Sequence, residues 1–133
     1  MIPAALLVLL FAAPAFGQGA PDEKAAAEPV LRQLDAFRRN DYDAAYAFAS
    51  TEIKSLFTRQ GFERMVKGGY PEIADSTRAH IASASTEADR VYIVVKIRGT
   101  NGRHIQAVYE MVREAGTWKI NGVVARPDPG EEV

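Results

Sequence analysis

Residues 90–123 read RVYIVVKIRGTNGRHIQAVYEMVREAGTWKINGV, and this stretch decides the fold. Apolar and polar residues alternate in its first part, which is typical of an antiparallel strand with one buried face. Gly99-Thr100-Asn101-Gly102 and Ala115-Gly116 interrupt the alternation and predict hairpin turns. The stretch predicts three strands, over residues 90–98, 103–113 and 117–126. A further strand is predicted before it, over residues 78–86.

The loop of the first hairpin sets which side chains face each other, because a slip of one residue turns a whole strand over. A two-residue Asn-Gly loop would place Arg98 beside Ile105, whereas a three-residue loop with a left-handed Gly102 places Ile97 beside Ile105. We predict the second register because it brings apolar residues together. In the second hairpin, Arg113 should meet Trp118. The predicted inner face comprises Val91, Ile93, Val95, Ile97, Ile105, Ala107, Tyr109, Met111, Trp118, Ile120 and Val124.

The residues before the strands have a helical period. In PVLRQLDAFRRND, which starts at Pro29, apolar residues recur every three or four positions. Pro29 suits a first helical turn, and an earlier start at Asp22 with a kink at Pro29 is the alternative. Asp41 is predicted to cap the second helix, and Ser50 or Thr51 the third. Thr58 is predicted to cap a fourth helix that ends at Gly68-Gly69. Helices followed by a meander predict an α+β fold with helices packed on one sheet face.

The N-terminal segment, residues 1–16, is apolar throughout and shorter than the roughly 20 residues of a spanning helix. We predict a signal peptide over residues 1–17, cleaved after Ala15-Phe16-Gly17. A retained anchor is the alternative. No Lys or Arg precedes the apolar run, so we expect either a weak export signal or a true start upstream of Met1. The remaining chain is predicted as a flexible segment over 18–28, a single domain over 29–126 and a flexible tail over 127–133. The predicted location is the periplasm, with no membrane attachment after cleavage.

The composition excludes several classes of function. The 133 residues carry 16 Lys and Arg against 17 Asp and Glu, without the basic run that a nucleic-acid binder uses, so no nucleic-acid partner is predicted. Without cysteine, disulfides, thiolate metal sites and thiol nucleophiles are excluded. His80 and His104 lie far apart in the sequence and form no metal-binding motif. No nucleotide-binding fingerprint occurs, and no cofactor is predicted.

Three segments of the chain carry a family resemblance: LRQLDAFRRNDYDAAYAFAS, FERMVKGGYPEI and YEMVREAGTWKINGV. They resemble a bacterial family of small proteins of unknown function, numbered 4864 among such families, and the likeness spans about residues 29–125. The family is placed with the nuclear transport factor 2-like, or cystatin-like, cone folds. The resemblance therefore implies helices packed on a curved four-stranded antiparallel meander. That superfamily contains isomerases, dehydratases, transport factors and binding domains, so the fold implies no reaction.

A cone of this kind can enclose an apolar pocket between its sheet and its helices. The predicted ligand-binding residues are Tyr42, Tyr46, Tyr109, His80 and Trp118, and Tyr70 is a further possible hydroxyl donor. Catalysis would need a base beside a pocket tyrosine, and the carboxylate in the middle of the strands, Glu110, is predicted on the outer face. No catalytic residue is therefore nominated.

We predict a non-catalytic exported domain that binds a small apolar or amphipathic ligand, or a partner protein. The alternative is a cofactor-free isomerase or lyase that uses a pocket tyrosine and an acid/base residue. The outer sheet face carries Val94, Val108 and Val112 among polar residues, and it is predicted as a surface for a homodimer.

Overall fold

The structure is a computed structural model that describes residues 16–131. Within that range helices precede one antiparallel sheet, which confirms the α+β prediction. The helices are α1 (Phe16–Arg38), α2 (Tyr42–Ala47), α3 (Thr51–Leu56), α4 (Arg59–Gly69) and α5 (Pro71–Ala74). The strands are β1 (Ser76–Glu87), β2 (Arg90–Gly99), β3 (His104–Glu114) and β4 (Thr117–Pro127), followed by a 3₁₀ turn at Pro129–Glu131. Most of the predicted signal peptide, residues 1–15, lies outside the described residues.

The first helix is longer than the sequence pattern predicts. Residues 18–28, predicted as a flexible segment, belong to α1, and Pro29 lies inside the helix rather than at its start. Ala26 and Ala27 are buried in the core, and Asp22 forms an ion pair of 2.8 Å with Arg113 of β3. Packing on the sheet therefore extends a segment whose alanines already favour a helix. None of the helices in residues 16–131 is long and apolar enough to cross a membrane.

The predicted N-caps are confirmed by their hydrogen bonds. The side chain of Asp41 accepts from the backbone N–H of Ala44 at 3.0 Å, and Thr58 accepts from Gly61 at 3.0 Å. Ser50, rather than Thr51, caps α3. The short helix α5 was not predicted, because its Pro71 at the first turn also fits a simple reversal of the chain.

The sheet has the strand order β1-β2-β3-β4, and its register follows the prediction in both hairpins. Ile97 pairs with Ile105 and Ile93 with Tyr109, and Gly102 has the left-handed φ of +81° that the three-residue loop requires. In the second hairpin Arg113 pairs with Trp118. The apolar faces of β2, β3 and the start of β4 therefore coincide.

The predicted inner position of Val124 is wrong. Met111 pairs with Ile120 but Glu110 pairs with Gly122, so Asn121 is an extra residue on β4. Such a bulge reverses the faces of the strand beyond it. Val123 therefore packs against the core and Val124 is 69% exposed.

The bulged residue joins the sheet to the helices. The Asn121 side chain accepts a hydrogen bond from the Ser50 hydroxyl at 2.7 Å and donates one to Glu110 at 2.6 Å. Next to the bulge, the backbone N–H of Ile120 donates to the carbonyl of Phe48, and the backbone N–H of Ser50 donates to the carbonyl of Ile120. These long-range contacts hold the bulge in place, and the alternation of β4 does not indicate them.

The core lies between the inner face of the sheet and the helices. Every predicted inner-face residue except Val124 is buried, and Leu34 and Phe37 of α1 pack among them. Residues 127–133 were predicted as a flexible tail. Within the described residues, the start of this segment is attached to the sheet through Asp128. Asp128 is buried, and its backbone N–H donates to the carbonyl of His104 at 3.0 Å.

Candidate functional site

An apolar cavity of about 220 Å³ lies between the helices and β3 and β4. Its wall is formed by side chains of α1, α3, α4 and α5 on one side and of the sheet on the other. The lining residues are mainly apolar or aromatic: Phe37, Ala49, Ile53, Phe57, Phe62, Met65, Val66, Ile73, Ile120, Gly122 and Val123. The polar exceptions are Gln33, Tyr70 and Tyr109.

Tyr109 carries the most unusual group in this wall. The residue is 1% exposed, and its hydroxyl has no hydrogen-bond partner among the described residues. Burial raises the pKa of the Tyr109 hydroxyl, which therefore stays protonated and can donate a hydrogen bond at neutral pH. A buried polar group without a partner costs about 1–3 kcal/mol, so an acceptor supplied by a ligand or a water would stabilise this position.

Gln33 and Tyr70 also line the cavity. The sequence analysis missed Gln33 and named Tyr70 only as a possible donor. The Gln33 amide donates to the carbonyl of Ala45 at 3.1 Å, and the Tyr70 hydroxyl lies 3.5 Å from the carbonyl of Val123. Gln33 could have been found, because it lies on the same face of α1 as Val30 and Phe37. Tyr70 directly precedes α5, which was not predicted, so it was not among the predicted ligand-binding residues.

The cavity has hydrogen-bond donors but no base. Within residues 16–131 no carboxylate and no imidazole lines it. Glu110, as predicted, lies on the outer face, where it accepts hydrogen bonds from Asn121, Arg90 and Tyr92. The Asn121 hydrogen bond, with Arg90 and Tyr92, holds the pKa of Glu110 below its usual range. The described part of the chain also contains no group of three or more carboxylates or histidines placed to hold a metal ion.

Tyr42 and Tyr46, two predicted ligand-binding residues, are not among the lining residues of the cavity. Tyr42 is buried against Phe37, with ring centroids 5.2 Å apart. The Tyr46 hydroxyl already donates to the carbonyl of Phe57 at 2.5 Å, and its ring packs edge-on against Phe62. Both tyrosines therefore pack between helices, and Tyr46 has no free donor for a ligand.

The other two predicted residues lie elsewhere on the sheet. His80 is exposed on the outer face, where it pairs with Lys96. Trp118 is on the inner face but lines a separate groove beside the middle of α1. Its indole N–H is buried with no hydrogen-bond partner among residues 16–131, and the Arg113 guanidinium lies 4.6 Å from the ring centroid. Of the five predicted ligand-binding residues, Tyr109 is thus the one that lines the cavity.

Comparisons with solved structures identify the same fold in several bacterial proteins. An NTF2-like protein of unknown function from Shewanella baltica has a TM-score of 0.59 at 12% identity and covers 83% of this chain and 96% of its own. A protein of unknown function with a cystatin-like fold from Nostoc punctiforme has a TM-score of 0.59 at 15% identity, over 83% and 93% of the two chains. An NTF-2 like protein of unknown function from Silicibacter pomeroyi has a TM-score of 0.56 at 17% identity, over 83% and 98%. At these identities the likeness establishes the fold.

The sequence comparisons agree with the structural ones. No curated protein matches this chain. The family model described as Domain of unknown function (DUF4864) matches residues 20–133, which include the whole sheet and nearly all of α1. The chain therefore belongs to the DUF4864 family and has the NTF2-like, or cystatin-like, fold.

Proposed function

We propose that this domain binds a small, largely apolar molecule with one hydrogen-bond acceptor, and that it does so without catalysis. The observation that carries the proposal is the buried hydroxyl of Tyr109, which has no partner among the described residues and belongs to a residue that lines an apolar cavity. An acceptor on the ligand would provide the missing hydrogen bond, while the aliphatic and aromatic wall would bury the rest of the molecule.

The cavity volume limits the size of the ligand. At about 220 Å³, it exceeds the roughly 150 Å³ of a cavity that admits benzene. It is smaller than the roughly 300 Å³ at the lower end of sites for drug-sized ligands. A monocyclic or short branched molecule with one carbonyl or hydroxyl group fits this range.

The catalytic alternative, an isomerase or lyase, has less support. Proton abstraction needs a base within hydrogen-bond reach of the substrate, and the lining side chains in the described part of the chain supply none. Tyr109 cannot take that role, because burial raises its pKa and keeps the hydroxyl protonated. A hydroxyl donor without a base can bind a ligand carbonyl, but it cannot carry out the proton abstraction that catalysis requires.

A matched pair of ligands tests the proposal. Acetophenone has a ring and a carbonyl, while ethylbenzene has a similar shape and no acceptor. Two-dimensional NMR titration of the wild-type domain should give tighter binding of acetophenone. In Tyr109→Phe that preference should fall by roughly two- to tenfold, the value of one neutral hydrogen bond.

Tyr92→Phe is the control for the loss of a hydroxyl, since Tyr92 lies on the outer face. It should leave the preference for acetophenone unchanged. The proposal fails if neither compound perturbs the residues that line the cavity, or if Tyr109→Phe keeps the full preference.

We also propose that the domain acts after export. Cleavage after Gly17 would leave the region matched by the family model, which starts at residue 20, intact. It would also keep the contacts of Asp22 and Glu23 with the sheet. N-terminal sequencing of the protein from the periplasmic fraction should start at Gln18 or within a few residues of it. A protein that still begins at Met1 and pellets with membranes would contradict the proposal.

We also propose that the domain forms a homodimer through the outer face of its sheet. Val94, Val108 and Val124 are directly opposite one another on β2, β3 and β4, and Val124 is largely exposed. An apolar row of this kind favours burial against a second copy. Sedimentation velocity should show a dimer that Val124→Glu dissociates, while Leu56→Glu, at an exposed apolar residue of α3, leaves it intact. A wild-type monomer at high protein concentration would exclude this dimer.

A further inference from the structure

Basic side chains form rows across the outer face at one end of the sheet. Arg78 of β1 is opposite Arg98 of β2, which is opposite His104 of β3. In the adjacent row, His80 is opposite Lys96. These residues point away from the core, because they alternate with inner residues that pack in it, namely Ala79, Ile81, Ile97 and Ile105.

This arrangement is unfavourable for the protein alone, because like charges directly opposite each other on a sheet repel. Two other arginines have counter-ions in the structure: Arg59 pairs with Asp43 and Glu63, and Arg90 pairs with Glu110. For Arg78 and Arg98, no carboxylate of the described residues lies within ion-pair distance. Negative charge at this position would therefore stabilise the sheet.

The carboxylate that the fold places here, Asp128, is already engaged. It is 3% exposed; one oxygen lies 3.8 Å from the Lys96 ammonium, and the other accepts the backbone N–H of Gly130 at 3.0 Å. Asp128 therefore balances Lys96 and leaves the two arginines without a counter-ion in the described part of the chain. Around them lies a depression of about 100 Å³, lined by Arg78, His80, Lys96, Ile97, Arg98, His104 and Asp128.

We propose that this depression is an anion site that binds a phosphate group, held chiefly by Arg78 and Arg98. Guanidinium groups donate in a planar fork that matches two oxygens of a phosphate, and such charge-assisted bonds are the strongest of their kind. The imidazoles of His80 and His104 each carry at least one N–H donor beside them. The site is on the opposite face of the sheet from the apolar cavity, so it does not depend on the ligand proposed there.

The phosphate group can belong to a free ion or to a lipid headgroup, and two titrations distinguish these sources. The first adds inorganic phosphate to the full domain and follows the amide signals of β1, β2 and β3 by NMR. The second adds phosphatidylcholine vesicles with and without phosphatidic acid and measures co-sedimentation. Binding of phosphate alone identifies a free ion, and binding of phosphatidic acid vesicles identifies a headgroup. Absence of both overturns the proposal.

Substitutions locate the binding. Arg78→Gln and Arg98→Gln should each lower affinity for the bound probe by about tenfold, near the lower end of the value of a hydrogen bond to a charged group. Arg64→Gln is the matched control, because Arg64 is exposed on α4 and belongs to no ion pair in residues 16–131. It should change the affinity by less than twofold. Equal losses in all three variants would indicate attraction by overall charge and would overturn the site.

Thermal unfolding separates loss of the site from loss of the fold. Arg98→Gln removes repulsion within the row, so its Tm at low ionic strength should equal or exceed that of the wild type. Phosphate should then raise the Tm of the wild type more than that of Arg98→Gln. A lower Tm of Arg98→Gln in the absence of phosphate would mean that Arg98 stabilises the sheet, and the proposal would fail.

Discussion

The two faces of the sheet use the same strands and have opposite chemistry. On β2, Val95 is fully buried under the helices, whereas its neighbours Val94 and Lys96 lie on the face that no described helix covers. The inner face forms a neutral, apolar cavity wall, and the outer face carries charges and a row of valines. Alternation along a strand separates the two sets of side chains, but the helices determine which set is shielded from water.

Each face also has polar groups without a partner among the described residues. On the inner face the group is the neutral hydroxyl of Tyr109, and on the outer face the groups are the guanidinium ions of Arg78 and Arg98. A buried hydroxyl needs a neutral acceptor, whereas exposed cations need an anion. This difference is the basis for proposing two ligands of different chemistry, and stability measurements can test it.

The largest expected effect is at the inner face, in Trp118→Ala. Trp118 is 8% exposed, and its removal should leave a cavity that costs about 3–5 kcal/mol in the free energy of unfolding. Urea titration measures this value. A loss below about 1 kcal/mol would show that Trp118 contributes little to the core and would weaken the contrast between the faces.

Val95→Ala and Val94→Ala compare the two faces directly, because the same change is made at adjacent residues. Val95 lies in the core and Val94 on the outer face. Val95→Ala should cost about 2 kcal/mol, from two lost methyl groups and the resulting cavity. At protein concentrations too low for the proposed dimer, Val94→Ala should cost less than about 1 kcal/mol, since it leaves no enclosed cavity in the monomer. Equal losses in urea titration at those concentrations would mean that Val94 is covered within the monomer and would contradict the contrast between the faces.

Tyr109→Phe should stabilise the ligand-free domain. The change removes a buried hydroxyl that has no partner in the described structure, and the expected gain is about 1 kcal/mol. Tyr46→Phe is the contrasting variant, because its hydroxyl donates to Phe57 and its loss should cost about 1 kcal/mol. Differential scanning calorimetry of both variants checks the signs. A loss of stability in Tyr109→Phe would indicate that a water or ligand already satisfies the hydroxyl.

The smallest expected effect is at Glu110, on the outer face. Asn121, Arg90 and Tyr92 lower the pKa of this carboxyl in the folded state, so its contribution is present above the unfolded pKa and lost as the pH falls through the folded pKa. Glu110→Gln should therefore destabilise the domain by about 1 kcal/mol or less at neutral pH. The gap between the two proteins should narrow as the pH falls from the unfolded pKa of about 4.3 through the lower folded pKa. A gap that does not narrow with falling pH in urea titrations would assign the effect to packing rather than to charge.

The candidate site could be predicted only in part from the sequence. Tyr109 was found because it lies in an alternating apolar stripe, where its hydroxyl needs a partner. Tyr42 and Tyr46 lie on an equally convincing helical stripe, but the packing of α2 directs them between helices, away from the cavity. Gln33 was missed and Tyr70 was named only as a possible donor, because their position at the cavity depends on how separate helices meet.

The sequence by itself determined the strands, both hairpin registers and three helix caps. Each of these depends on residues close together in the chain: the alternation of β2 and β3, the left-handed Gly102, and side chains such as Asp41 and Thr58 that bond to the next helical turn. Local hydrogen bonds and a short-period pattern suffice for such features.

Only the tertiary structure decided the rest. The hydrogen bonds of Asn121 to Ser50 and Glu110 fix the bulge that turns Val124 outward. Packing on the sheet extends α1 through residues 18–28, and strand pairing brings Arg78 beside Arg98. These features join residues that are distant in the chain, so their energy exists only once the helices and the sheet are in contact, and no local pattern records it.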